Sequence, residues 1–222
     1  MSGCQESSHY RIGISQCSED DWRNKMNEEI HREIMLHPEA SVEIRSADDS
    51  NDKQIADIRY FMDNDFDIIV AAPNEAEAIT PVIKEAYESG IPVVLFDRKI
   101  NGDTYTAFQG VDNTKIGASA AHYARHLTGN GARVIEIQGL KGSSPAIERH
   151  RGFMDAAESE GLSVVASAYG NWNYDDAAVM ADSMFALYPD VDLVYAHNDR
   201  MAIAASEVAD NRGLNIKVIG ID

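Results

Sequence analysis

The chain has little positive charge and no long apolar run. Lysine and arginine total 19 residues against 37 aspartates and glutamates, which gives a formal net charge of -18 at pH 7. Such a surface repels phosphate backbones and anionic headgroups, so binding to DNA, RNA or a membrane surface is disfavoured. No apolar stretch approaches the roughly 20 residues that a membrane-spanning helix needs, and no stretch near the start has the charged-then-apolar pattern of a signal peptide. The charge favours uncharged or cationic small molecules as ligands.

Cysteine is scarce as well. The chain has two cysteines, Cys4 and Cys17, which are too few for a disulfide framework. Cys4 lies in a polar leader, residues 1–9, where Ser2-Gly3-Cys4 is compatible with a lipoprotein cleavage site or with added residues. A Cys4–Cys17 bridge is not expected. The cysteines therefore leave the cellular compartment open.

Motifs of common enzyme classes are missing. The sequence has no GxSxG elbow, Walker loop or HExxH pair. The segment Gly139–Ser144 follows a strand and opens a helix, as an anion-binding loop does, but Pro145 favours an ordinary helix start. His122 and His126 share a helix face without a third metal ligand, and Cys17 has no evident base partner. We expect a binding module without enzymatic activity, cofactor or metal.

Short apolar strands alternate with amphipathic helices along the chain. Several strands are continuous apolar runs, such as IIVAA and PVVLF, which a parallel sheet covered on both faces requires. The alternation with short connections predicts right-handed βαβ units. The predicted strands are Arg11–Ser15, Val42–Ala47, Asp67–Pro73, Pro92–Asp97, Thr104–Val111, Arg133–Gly139, Ser163–Tyr169, Leu193–Asn198 and Lys217–Asp222. The predicted helices are Glu19–Leu36, with Ser18 and Asp21 as its capping box, Lys53–Asn64, Glu75–Ser89, Thr114–Leu127, Ala146–Glu160, Asp175–Leu187 and Arg200–Asn211.

The strand count and one irregular segment indicate two lobes. Nine strands are many for one sheet of this kind, and in Gly102–Asn113 a strand follows another without a helix between them. We interpret this segment as a crossover between two lobes, residues 1–111 and 112–222. The predicted fold is α/β, with two doubly wound parallel-sheet lobes, a hinge and a cleft between the lobes. Because the chain ends on the strand sequence VIGID, we expect the natural protein to continue past Asp222.

Polar and indole side chains follow the predicted strands at their carboxyl ends, where open α/β sheets bind ligands. Planar Asp, Asn and Arg groups can each grip two neighbouring hydroxyls, and an indole covers the C–H face of a sugar ring. This shared position at one edge favours a sugar site. The residues that stand at this edge are Ser15, Trp22, Asp97, Arg98, Ser143, Ser144, Arg149, Asn171, Trp172, Asn173, Asn198, Asp199 and Asp222.

Single residues of this set also have a purely structural interpretation. Ser15, Asn198 and Asp199 could simply cap the helices that follow them. Asp97 and Arg98 could form a surface ion pair. The two tryptophans could be core residues, and Arg149 could lie in solvent on its helix.

Five stretches carry a family resemblance, in particular an Asp-Arg pair after a strand, an ERxxGF helix and an NDxMA helix start. They are IGISQCSEDDWR (Ile12–Arg23), IPVVLFDRK (Ile91–Lys99), VIEIQGLKGSSPAIERHRGF (Val134–Phe153), YAHNDRMAIAA (Tyr195–Ala205) and VIGID (Val218–Asp222). Together they resemble the ribose-type (type I) periplasmic sugar-binding proteins, most of all the periplasmic sugar-sensing domains of hybrid two-component sensor histidine kinases. The resemblance implies eight candidate ligand residues that contact a sugar: Ser15, Trp22, Asp97 and Arg98 of the first lobe, and Arg149, Trp172, Asn198 and Asp222 of the second. It also implies that the family's C-terminal return segment is missing from this chain.

The resemblance further implies a function. Ribose binders carry an Asn-Pro-Phe-Phe-like run where this chain has Glu19-Asp20-Asp21-Trp22, so Asp21 replaces one aromatic and the sugar stays open between fructose, ribose and their relatives. The implied protein is periplasmic, is tethered to the membrane in its full-length form, and signals by hinge closure to its own transmembrane and kinase portion, alone or as a homodimer. This segment itself contacts neither membrane nor nucleic acid. Two alternatives stay open: a free receptor of a sugar importer, and the effector domain of a lac-repressor-type regulator.

Overall fold

The chain folds into two compact units whose boundary lies between Val111 and Asp112. The computed structural model describes residues 9–221, and among them nine strands alternate with seven helices. No helix in this range is both long and apolar enough to cross a membrane. In chain order the elements are β1 (Tyr10–Gln16), α1 (Asp21–Ile34), β2 (Ala40–Ser46), α2 (Asn51–Asp63), β3 (Ile68–Ala71), α3 (Ala76–Glu88), β4 (Val93–Phe96), β5 (Ala107–Gln109), α4 (Asn113–Thr128), β6 (Arg133–Gln138), α5 (Ser144–Ser159), β7 (Ser163–Tyr169), α6 (Tyr174–Leu187), β8 (Leu193–Ala196), α7 (Asp199–Asn211) and β9 (Lys217–Ile219).

The first unit is built on a parallel sheet in the order β2-β1-β3-β4-β5. Ser15 pairs with Ala71 and Ala71 pairs with Leu95, so β1, β3 and β4 end side by side. Helices α2 and α3 pack their apolar residues on one face of this sheet. Gly13 of β1 permits the Phe61 ring to lie against the strand, since a Cβ there would come within 2.5 Å of the ring. This close fit seats α2 directly on the strand that carries Ser15.

The second unit is built on a parallel sheet in the order β7-β6-β8-β9. Val134 of β6 packs in a core with α4 and α5, whereas its neighbour Ile135 packs in a core with α6 and α7. On β8, Leu193 and Val194 divide between the same two cores. Both faces of this sheet are therefore covered, which explains its continuous apolar strands. The prediction of doubly wound parallel-sheet α/β architecture is confirmed.

The irregular segment Gly102–Asn113 is more ordered than expected. Its strand β5 pairs in parallel with β4 and forms the edge of the first sheet. The step to the second unit is confined to the residues after β5, and the Asp112 side chain caps α4 by accepting a hydrogen bond from Lys115 N at 3.1 Å. The strand that we assigned to the crossover thus belongs to the first sheet.

Helix α1 departs from its prediction at the start. The capping box of Ser18 and Asp21 is wrong: Asp20 is the N-cap, and its carboxylate accepts from Arg23 N at 2.8 Å. The Ser18 hydroxyl instead donates to Asp20 at 3.0 Å, which orients the cap. Trp22 is 53% exposed, whereas the buried residue of the helix is Arg23. Arg23 can be buried because its guanidinium pairs with Asp97.

Candidate functional site

Four candidate ligand residues of the first unit come from the carboxyl edge of its sheet. Ser15 lies at the end of β1 and is fully buried, and its hydroxyl has no hydrogen-bond partner among the described residues. It caps no helix, so that alternative is wrong. Trp22, in the first turn of α1, exposes more than half of its surface, so the core alternative for Trp22 is also wrong. Asp97 and Arg98 follow β4 directly.

Asp97 pairs mainly with a residue outside the candidate set. Its carboxylate accepts a hydrogen bond from Arg23 Nη2 at 2.5 Å, whereas Arg98 Nε lies 3.9 Å away. Arg98 is buried, and its Nη1 donates to the Asn74 carbonyl at 3.1 Å. The alternative of a surface ion pair is therefore wrong. Asp97 keeps about a third of its side chain exposed, at 32%, so its carboxylate is accessible to a ligand.

The buried Arg23 is a residue that sequence reasoning missed. Its guanidinium lies 4.7 Å from the Trp22 ring and 5.4 Å from the Phe96 ring. Burial by itself lowers the pKa of Arg23, but the neighbouring Cys17 and Asp97 raise that pKa by more, so the net shift is upward. Arg23 is thus a fixed cation. No local pattern marks it, because its counter-ion lies 74 residues further along the chain.

Asn74, also missed, ties the loops of this edge together. Its backbone N–H donates to Gln54 at 2.8 Å, and its side-chain amide donates to the Asp49 carbonyl and to Asn51, both at 3.0 Å. Its carbonyl is the acceptor of Arg98. The loops after β2 and β3 therefore hold Arg98 in place beside Asp97.

Three candidates of the second unit lie in one contact group. The guanidinium of Arg149 lies 5.6 Å from the Trp172 ring, and its Nε donates to Asn113 at 2.9 Å. Its Nη1 donates to the His197 carbonyl. Asn198 caps α7 by accepting from Met201 N at 2.9 Å, as its structural alternative states, and also donates to the Trp172 carbonyl at 3.2 Å. The structure thus joins Arg149, Trp172 and Asn198 through direct contacts.

Trp172 occupies an unusual backbone position. Its φ is 65°, in the left-handed region that residues other than glycine seldom adopt. Its ring lies against Gly139, where a Cβ would come within 2.1 Å of the indole. The half-buried ring also packs on the core between β6, α6 and α7, so the core alternative holds for one side of the indole. A held, partly exposed indole is suited to covering an apolar ligand face.

A buried carboxylate that we did not predict, Glu136, lies next to the group formed by Arg149, Trp172 and Asn198. Glu136 is fully buried and accepts from His197 Nε2 at 3.0 Å, Ser167 at 2.8 Å and Gln138 at 3.1 Å, and it contacts His150 Nδ1 at 2.7 Å. Burial by itself raises the pKa of Glu136, but the hydrogen bond from His197, the electrostatic interactions with the His197 and His150 rings and the Ser167 hydrogen bond outweigh it, and the pKa lies below its ordinary value.

His197 connects Glu136 to the candidate residues Arg149 and Trp172. Its Nδ1 accepts from Gly139 N at 3.3 Å, so Nε2 carries the proton that is donated to Glu136. Burial lowers the pKa of His197 by more than Glu136 raises it, and the ring is neutral. Its carbonyl receives Arg149, and its ring lies 6.2 Å from that of Trp172. Glu136 therefore orients His197, whose carbonyl accepts from Arg149 and whose ring lies near that of Trp172.

Some expectations fall outside what the structure describes or find other partners in it. Asp222 lies outside the described residues, so its predicted ligand contact stays a prediction. Within residues 9–221, no group of three or more His, Cys, Asp or Glu is arranged to hold a metal ion. His122 contacts Glu160 at 2.6 Å, and His126 stacks on Tyr123. Cys17 is a buried free thiol.

The two parallel sheets and the polar, indole-bearing edges define a solute-binding class of protein. The model of the periplasmic binding protein domain family matches residues 12–222, and the chain belongs to that family. Among curated relatives, the ribose import binding protein RbsB of Bacillus subtilis is 31% identical over 179 residues, which are 81% of this chain and 58% of that protein. The chain thus spans under two thirds of the length of this relative.

Solved structures agree with this assignment. The fructose-binding periplasmic domain of the hybrid two-component system BT1754 is 46% identical, with a TM-score of 0.94 over 96% of this chain and 72% of that one. A myo-inositol-binding protein of Caulobacter is 27% identical, with a TM-score of 0.91 over 97% of this chain and 75% of that one. The predicted resemblance to type I periplasmic sugar-binding proteins is confirmed.

Proposed function

We propose that this chain binds a neutral monosaccharide through residues of both units and passes the binding event to an attached sensor kinase. One observation carries the proposal: in each unit an arginine, an acceptor or amide group and an indole are held together at the carboxyl edge of the sheet. In the first unit Arg98 lies 3.9 Å from Asp97, and Asp97 is joined to Trp22 through Arg23, whose guanidinium contacts both. In the second unit Arg149, Asn198 and Trp172 are in direct contact. Paired donors and acceptors grip hydroxyls, and indoles cover C–H faces.

The proposed mechanism is closure of the two units on the sugar at a hinge. A ligand that contacts both units favours a closed state over an open one, and this difference in affinity is the signal. The similarity to the fructose-binding domain BT1754 supports fructose or a related sugar and a periplasmic, membrane-tethered sensor. Dimerisation of the complete protein would bring two kinase portions together.

A free receptor of a sugar importer is the second candidate, and the curated relatives support it, since the one from Bacillus subtilis is named an import binding protein. The complete coding sequence separates the two. A transmembrane segment followed by a kinase supports the sensor, and a secreted protein that ends after the binding fold supports the receptor.

Binding itself is tested with a panel of neutral monosaccharides on the complete protein. A sugar at 100 times its dissociation constant adds about 2.7 kcal/mol to the folded state, so we expect a clear rise in melting temperature with at least one of fructose, ribose, galactose or myo-inositol. Nucleotides and acidic metabolites serve as controls. A rise with these controls alone would contradict the proposal.

A further inference from the structure

The guanidinium of Arg23 is buried beside two of the first-unit candidates. The side chain is 3% exposed, and its Nη2 donates to Asp97 and also lies 3.4 Å from Cys17 Sγ. The rings of Trp22 and Phe96 lie against its guanidinium carbon. Arg23 therefore contacts two candidate ligand residues, Asp97 and Trp22, at once.

The hydrogen bonding of this guanidinium is incomplete. Its Nη1 is buried and has no hydrogen-bond partner among residues 9–221, and the same holds for the Ser15 hydroxyl at the end of β1. A buried charged donor without a partner costs considerable free energy, so native structures keep such a group where another acceptor joins it. One arm of the guanidinium fork thus holds Asp97, and the other is available for a further acceptor.

We propose that Arg23 is a further ligand-recognition residue, whose Nη1–H donates to one sugar hydroxyl while its Nη2 holds Asp97 as the acceptor of the adjacent hydroxyl. The inference rests on the proposed sugar-binding function. A donor beside an acceptor matches a pair of vicinal hydroxyls, because each hydroxyl can both donate and accept. The ligand class is a neutral sugar with two adjacent free hydroxyls, and the site discriminates against analogues that lack either one.

The test compares Arg23→Met and Arg23→Lys with the wild type by calorimetric titration of the complete protein with a sugar that the wild type binds. Arg23→Met preserves length without charge, and Arg23→Lys keeps a cation near Asp97 without the fork. Arg45→Met is the matched control, since Arg45 is paired with Glu43 at 2.8 Å and lies 3.5 Å from the Tyr60 ring, and none of these partners is a candidate ligand residue. We expect both Arg23 variants to bind at least tenfold more weakly, about 1.4 kcal/mol, and the control to bind as the wild type does.

Monodeoxy analogues of the same sugar separate contact from positioning. If Arg23 donates to a hydroxyl, Arg23→Met should weaken the analogue lacking that hydroxyl by a smaller factor than it weakens the parent sugar, because the two losses are not additive. A folded variant that weakens every analogue by one common factor, or an Arg23 variant with wild-type affinity, would overturn the direct contact. Arg23→Lys provides the same comparison where Arg23→Met does not fold. If the wild type binds no sugar, the proposed function is wrong and this inference with it. If the wild type binds sugar but the Arg23 results contradict expectation, only the role of Arg23 is wrong.

Discussion

At the scale of the residue, Asp97 has two tasks. Its backbone φ is 60°, in the left-handed region where aspartate and asparagine are favoured among residues with a Cβ. Its carboxylate is the counter-ion of the buried Arg23, and about a third of its side chain is also exposed to solvent. A substitution here therefore changes the free energy of unfolding as well as the affinity for a ligand. The affinity of each such variant should therefore be measured together with its free energy of unfolding.

This double role predicts a non-additive pair. Asp97→Ala leaves the Arg23 charge buried without its counter-ion, and we expect a loss of about 2 kcal/mol in the free energy of unfolding, reduced from the value for a fully buried pair because Asp97 is partly exposed. The double variant with Arg23→Met removes both partners, and its loss should be smaller than the sum of the two single losses. Urea denaturation measures all three.

Asp103→Ala is the control for this cycle, since Asp103 is an exposed aspartate in the same unit and should change the stability by less than about 0.5 kcal/mol. Strictly additive losses would show that Asp97 and Arg23 do not depend on each other. Asp97→Asn tolerates the same φ and separates the cost of the lost charge from that of the backbone.

At the scale of the element, two glycines decide how the second-unit site is assembled. A Cβ on Gly117 of α4 would come within 2.1 Å of the Arg149 carbonyl, and a Cβ on Gly152 of α5 within 1.9 Å of the Thr114 carbonyl. The two helices thus pack backbone to backbone. This contact brings Arg149 to Asn113, the first residue of α4 and the second residue after the boundary between the units.

The buried pair of Glu136 and His197 makes the second unit sensitive to acid. The pKa of His197 is lowered, so below its ordinary value of 6.5 the unfolded chain binds a proton that the folded chain refuses, and stability falls with falling pH. The pKa of Glu136 is also lowered, so its contribution is present above its ordinary value of 4.5 and is lost as pH falls through the folded value. Both shifts act in the same direction. Electrostatic interactions with Arg149 and His150 disfavour a charged His197 further.

We therefore expect the free energy of unfolding of the second unit to fall between pH 7 and pH 5, by up to about 1.4 kcal/mol per pH unit for one proton. Denaturation followed by the fluorescence of Trp172, in a Trp22→Phe background, measures it. His197→Gln should flatten the dependence, whereas His122→Gln, on an exposed histidine, should not. His37 on the surface has a raised pKa, which acts with the opposite sign, and it is common to all variants. An unchanged slope in His197→Gln would assign the acid sensitivity to other groups.

At the scale of the whole molecule, the proposed function requires the ligand to bind residues of both units. Trp172 of the second unit and Trp22 of the first would then cover two faces of one sugar. Trp172→Ala should lower affinity because an apolar sugar face loses its cover, and it should shift the bound population toward the open state because the ligand's preference for the closed state shrinks. Small-angle scattering of the complete protein with and without sugar measures both states.

We expect the wild type to compact on binding and Trp172→Ala to compact less at equal saturation. Tyr123→Ala, on an exposed ring of the same unit, should compact as the wild type does. A wild type that binds sugar without compaction would refute closure while leaving sugar binding intact. A Trp172 variant that only unfolds the second unit would return this residue to a core role.

The sequence by itself determined the order of strands and helices, the parallel pairing and the edge at which polar side chains collect. These features follow from local properties: the hydrophobic periodicity, the glycines that follow helices and the short connections. Each of these can be recognised within a few residues. Because Asp97, Arg149 and Trp172 each follow a strand within such a local pattern, the sequence alone marks them as candidate ligand residues. The boundary between the two lobes was predicted from the irregular segment around β5, which is a local signal of the same kind.

Only the tertiary structure decided which side chains meet at that edge. Arg23 finds Asp97 across 74 residues, and His197 finds Glu136 across 61. No local pattern encodes such pairs. In the sequence, a charged residue after a helix cap or within a strand looks the same whether it is solvated or paired with a buried counter-ion. Parallel strands bring distant segments to adjacent positions, and burial then turns a polar side chain into one that must be paired. The identity of the supporting residues therefore follows from the fold, while the identity of the residues at the strand ends follows from the sequence.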